Sequence, residues 1–185
     1  MPLIDSGTLI VNKGNYFTAP VGTEVPLDLT NPEVAWDNIG HTDIESVIEF
    51  TSEGGETTTK GTLQNPNLRT QTSARSESFG VNLQQFTIEA LRLYYGKNAE
   101  DIDGGKFLGV PTNPQSTEVA FLAVFLDGET AFAIYAPKVS ILRGDDPEID
   151  DTENFATLPL QITPLNYQTN GWAYAVTPLT ATEGS

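Results

Sequence analysis

Cysteine is absent from all 185 residues. Disulfides, thiolate zinc sites, iron–sulfur clusters and a thiol nucleophile are thereby excluded, and the fold must rest on packing, within the chain or against partners. Positive charge is also scarce: 9 Lys and Arg stand against 25 Asp and Glu, a net of −16, although only 18% of residues are charged. A protein that grips nucleic acid needs clustered Lys and Arg to displace counterions from phosphates, and this chain would repel them. Failing to stick to DNA can itself be useful. No apolar run approaches the roughly 18 residues that a membrane helix needs. The opening Met1-Pro-Leu-Ile-Asp lacks the basic start and apolar stretch of a signal peptide. A soluble protein used where it is made, with no membrane partner, is the expectation.

Catalytic chemistry is equally thin. His41 is the single histidine, and no Gly-x-Ser-x-Gly elbow presents a serine to it. It has no histidine or cysteine beside which to bind metal, so it reads as a surface or capping residue. The glycines around Lys60 and Lys106 lack the spacing of a phosphate-binding loop and the Ser/Thr after lysine. Asp101-Ile-Asp103-Gly104 begins like a calcium loop but lacks the further acidic ligand and terminal Glu. An acid-pair hydrolase needs two carboxylates across a cleft with aromatics to stack sugar, and only Trp36 and Trp172 are available. No enzyme and no cofactor are expected. A calcium-stabilised or carbohydrate-binding β-sandwich module is the alternative to a structural role.

What is there is mostly β. Short apolar or alternating runs recur between turn signals, which predicts a sandwich or barrel in a single domain over 1–185. The candidate strands are 3–11, 16–23, 43–52, 76–84, 118–126, 130–136, 139–143, 155–163 and 172–176. Asp127-Gly128 between two of them is a hairpin signal. One segment breaks this rhythm: Leu83, Phe86, Ala90, Leu91 and Tyr94 fall at helical spacing, with Asn82 and Gln85 arranged like a capping box and Gly96 at the stop. This predicts one short helix covering an end or face of the sandwich.

Two alternating strands flank a long polar run. In one, Ile44, Ile48 and Phe50 share a side and Asp43, Glu45 and Glu49 the other; in the second, Phe79, Val81 and Leu83 oppose Ser76, Ser78, Gly80 and Asn82. They are expected to be neighbours with one wet, partly acidic face. Between them, residues 51–76 offer only Leu63 and Leu68 as sizeable aliphatic side chains, and the repeated threonines favour extended chain over coil. By contrast, residues 119–139 are apolar on both faces, which fits either a central strand pair or one buried by another subunit. The turn after it carries Asp145, Asp146, Glu148, Asp150, Asp151 and Glu153 with no positive charge between them. The run 51–76 holds Lys60, Arg69 and Arg75, a third of the cations. A contact between the two segments, within one chain or between subunits, would use this complementarity, and chance would also produce it.

The order of these features, together with "ARSESFGVNLQQFTIEALRLYYG" and "YAPKVSILRGDD", resembles the tail tube protein, or major tail protein, of long-tailed bacteriophages. The resemblance spans roughly residues 30–176. It implies a β-sandwich in which each copy joins five others in a hexameric ring, four strands from each lining a continuous barrel, with rings stacked into a tube. It implies that residues 51–76 are an assembly loop reaching onto neighbours, using Lys60, Leu63, Leu68, Arg69 and Arg75. Their partner would be the acidic segment Asp145, Asp146, Glu148, Asp150 and Asp151. Asp43, Glu45, Glu49, Ser78 and Asn82 become lumen linings, where like charge and small hydroxyls let DNA pass. The implied partners are the chain itself, a tape measure protein, a tail terminator and baseplate proteins, in a virion tail assembled in the host cytoplasm.

Overall fold

The computed structural model describes residues 3–32, 35–149, 152–168 and 171–181. After a 3-10 turn at Asp5–Gly7, strands β1 (Lys13–Ala19) and β2 (Asp37–Asn38) lead to β3 (Glu49–Gly54), β4 (Thr57–Lys60), β5 (Arg69–Thr72) and β6 (Arg75–Leu83). Helix α1 (Ile88–Tyr95) follows, then β7 (Glu100–Ile102), β8 (Phe107–Gly109), β9 (Thr117–Asp127), β10 (Thr130–Arg143) and β11 (Leu158–Pro164). The short strands β12 (Ala175–Val176) and β13 (Thr180–Ala181) come last. The chain is mainly β with one helix, as its patterning predicts.

The principal sheet runs β2-β1-β9-β10-β11-β6-β3, antiparallel throughout, with β12 and β13 paired to β10. Its two ends meet. The backbone N–H of Ile39 donates to Tyr16 on β1, while that of Asp43 donates to Asn82 and that of Gln84 to His41, closing onto β6. Phe79 on β6 and Phe121 on β9, three strands apart along the sheet, stack at 6.4 Å, so the sheet curls around its core. His41 therefore works through its backbone, as a closure residue in a loop.

Alternation decides which side chains fill the interior. Tyr16, Phe79, Val81, Leu83, Phe121, Phe125, Ile134, Ile141, Leu158 and Ile162 form the main core with Ala90 and Tyr94 of the helix. The opposite side of β1, β9 and β10 is apolar too, and Phe17, Leu122, Val124 and Ala133 there pack beneath Trp36, Leu29 and Tyr135. The chain thus covers both faces of the apolar β9–β10 hairpin itself. This is the central-strand reading of residues 119–139.

Several expected elements are shifted. Residues 3–11 form no strand, and the first strand starts at Lys13. The expected strand 43–52 is interrupted: β6 pairs with Thr42 and Asp43, then with Glu49 onward, and residues 44–48 loop out between. Ile44 is consequently 88% exposed, whereas Val47 and Ile48 turn back onto the core. The strands 130–136 and 139–143 are one strand, β10, with a bulge between Ala136 and Val139. The helix begins later than its apolar spacing suggests, because Leu83 belongs to β6 and Phe86 lies outside the helix. Its N-cap is Thr87, whose side chain accepts from the Ala90 N–H, and not an Asn82/Gln85 box; the Gln85 side chain instead accepts from the His41 N–H. Gly96 does end the helix, at φ 105°, where a Cβ would stand 2.8 Å from the Gln115 carbonyl. The strand expected over 155–163 starts at Leu158, and that over 172–176 is reduced to Ala175–Val176.

Candidate assembly site

Residues 51–76 are neither coil nor linker. From Glu49↔Gly80 through Gly54↔Arg75 and Thr57↔Thr72 to Lys60↔Arg69, the two halves hold a single antiparallel register. The hairpin continues past the body of the protein as an arm, closed by reciprocal backbone bonds between Thr62 and Asn65. Threonine opposite threonine sustains it, with the Thr57 and Thr72 hydroxyls 3.0 Å apart. Gly54 and Gly55, both at positive φ, take the bend where β3 passes into β4. Every residue of β4 and β5 is exposed. At the tip Leu63 is 99% and Leu68 60% exposed, so the arm's aliphatic side chains stay largely in water on their own subunit. Lys60, Arg69 and Arg75 make no ion pair among the described residues; the pairs found there use Arg92, Lys106, Lys138 and Arg143.

The acidic turn is held from below. Buried Tyr94 of α1 donates its hydroxyl to the Asp145 carbonyl at 2.5 Å, and burial pushes the phenol pKa up. Arg143 bonds Asp146 at 2.9 Å, and Glu148 exchanges backbone bonds with Thr157. Asp150 and Asp151 lie outside the described residues. Among the described residues, no ion pair links Asp145, Asp146 or Glu148 to the arm of the same chain. The contact open to them within one subunit is thus not made.

The expected lumen residues separate into two groups. Glu49, Ser78 and Asn82 lie on the outward face of β3 and β6, opposite Phe79 and Val81. They extend into a broader polar face that the sequence reading did not assemble. Glu118 pairs with Ser140, Ser140 with Thr163, and Thr51 with Ser78, while Leu142, Gln161, Gly80 and Glu49 make the next row. Its sequence signal was the plain alternation of "LPLQITP" over 158–164. Asp43 and Glu45 stand elsewhere, in or beside the 44–48 excursion. There they line a cleft of about 450 Å³ with Ile44, Glu148 and Phe155.

The carboxylates weighed as calcium ligands are already engaged. Asp101 bonds Arg92 at 2.7 Å and Asp103 bonds Lys106 at 2.9 Å on the β7–β8 hairpin. Among the described residues no three metal-ligating side chains gather.

A β core that commits a long ordered hairpin to solvent, leucines outward, is the build of a structural subunit made to meet other proteins. The comparisons agree. The family model of the phage tail tube protein matches residues 1–181, and the chain belongs to that family. It is 33% identical over 177 residues to the major tail protein Gp23 of Mycobacterium phage L5, covering 89% of this chain and 87% of that protein. The Gp23 major tail protein of Mycobacterium phage D29 is 32% identical over the same shares. The chain is a structural component of a phage virion tail.

Proposed function

We propose that this chain closes hexameric rings that stack into the tail tube, with an acidic lumen through which DNA passes. The observation that carries the reading is the arm. Continuous pairing keeps it ordered, yet its leucines stay largely in water and its cations form no ion pair among the described residues. Exposed aliphatic side chains on an ordered element favour burial against a partner, at roughly 25 cal/mol per Å² of apolar surface removed from water. The polar face of β3, β6, β11 and the end of β10 supports the lumen assignment. Its rows carry hydroxyls, amides and carboxylates and no aromatic ring on which a base could stack. The net charge of −16 acts in the same direction by repelling phosphate. A tape measure protein in the lumen, and a terminator and baseplate at the ends, are the partners such a tube requires. Native mass spectrometry of the concentrated protein is expected to find six times the chain mass of 20.0 kDa. A monomer at every concentration would contradict it.

A further inference from the structure

The cleft between the 44–48 excursion and the acidic turn sets exposed apolar side chains beside carboxylates. Ile44 and Phe155 line it while 88% and 80% exposed, an aliphatic and an aromatic side chain left in water beside one another's loop. Asp43, Glu45 and Glu148 rim it, and none of the three forms an ion pair among the described residues. Among the described residues, the Asp43 carboxylate accepts from the Glu45 N–H at 3.1 Å and the Gln84 amide at 3.4 Å. The Glu148 carboxylate accepts from the Thr157 hydroxyl at 3.3 Å.

The arm tip is the chemical converse: Leu63 and Leu68 exposed, with Lys60 and Arg69 directly opposite one another across the hairpin. Geometry forbids the tip its own cleft. Asp43–Glu45 lies at the root of the arm, just before Glu49, and β3 leads away from there. Residues 49–60 in extended form carry the tip up to about 40 Å off, at about 3.3 Å per residue. A compact chain of this length has a radius of gyration of about 16 Å, hence a diameter of about 40 Å. The arm therefore spans about one subunit width, from its root to the same cleft on an adjoining copy.

We infer that the arm tip of one subunit seats in the Ile44–Phe155 cleft of a second copy, Leu63 and Leu68 entering it while Lys60 and Arg69 meet Asp43, Glu45 and Glu148. The contact is head-to-tail, so every subunit both gives and receives an arm, and it propagates through an assembly where a two-fold contact would stop at a dimer. This rests on the ring-forming reading above and assigns the surface that receives the arm.

Two measurements on assembled wild-type-length protein test it. Carbodiimide treatment of tubes grown from mixed light and heavy isotope-labelled chains should join Lys60 to Asp43, Glu45 or Glu148 in mixed-label peptides, identified by mass spectrometry. Independently, because the chain has no cysteine, Leu63→Cys with Phe155→Cys introduces the only thiols. Oxidised assemblies should run as a ladder beyond dimer on a non-reducing gel, and each single variant should show at most dimer. Assemblies in which Lys60 joins other carboxylates, or in which the double variant gives no ladder, overturn the docking site and leave the ring reading standing. A wild-type chain that forms no rings or tubes overturns that reading and this inference with it.

Discussion

Four tyrosines carry much of the tuning at the level of single residues. Tyr16 is buried against Phe121 and Phe125 and donates its hydroxyl to the Val47 carbonyl, which ties the 44–48 excursion to β1. Burial raises its pKa strongly, and burial also raises those of Tyr94 and Tyr135. Tyr174 is raised first by its 2.6 Å hydrogen bond to Glu77 and then by burial. In each case the folded state keeps its proton where the unfolded chain, with a phenol near pH 10, would lose it. The stabilisation is complete below that value and is lost as pH rises through the raised folded values. Thermal melts should therefore hold steady from about pH 8 to 9.5 and fall above about pH 10. Tyr16→Phe should lower the melting temperature at neutral pH, through the lost bond to Val47, and make the alkaline decline shallower. An unchanged alkaline slope in Tyr16→Phe would contradict the assignment.

Among the elements, the arm stands apart in depending so little on the core. Removing residues 54–72 would leave Ser73, Ala74 and Arg75 as a three-residue loop between Glu53 and Ser76, which already pair across β3 and β6. The shortened protein should keep its far-ultraviolet circular dichroism apart from the lost hairpin and melt within a few degrees of the full chain, yet form no tubes. Loss of cooperative melting would show that the arm belongs to the core. The arm, the β9–β10 hairpin and the Phe79–Leu83 face are legible in the sequence because each rests on local alternation and on turn residues such as Asp127-Gly128. The helix start is not, because Leu83 satisfies two periods at once: it alternates with Phe79 and Val81 and also stands at helical distance from Phe86 and Ala90. The sheet wins because Leu83 pairs with Leu158 on β11. Likewise the alternation of 43–50 hides the excursion, since only the partner strand β6 dictates which of these residues pair. The cleft is the least legible feature. It joins 43–45 to 148–157, about a hundred residues apart, through closure of the wall and with no local pattern to announce it.

At the scale of the whole molecule, charge and shape divide the labour. A net of −16 opposes close approach of identical chains, so assembly needs specific attraction that outweighs the general repulsion. Of the scarce cations, Lys60 and Arg69 sit at the arm tip, while Arg92, Lys106, Lys138 and Arg143 are held in ion pairs on the body. The polar rows on β3, β6, β11 and β10 carry no aromatic side chain, and the cation beside them, Lys138, is paired with Glu118 at 3.0 Å. On the proposed reading, ring formation would turn one exposed hairpin and one hydroxyl-rich face into a conduit. Electron microscopy of the purified, concentrated protein tests this most directly. The expected images show rings of six subunits and stacks of them with an open central channel; dispersed single particles of one chain at all concentrations and salts would contradict it.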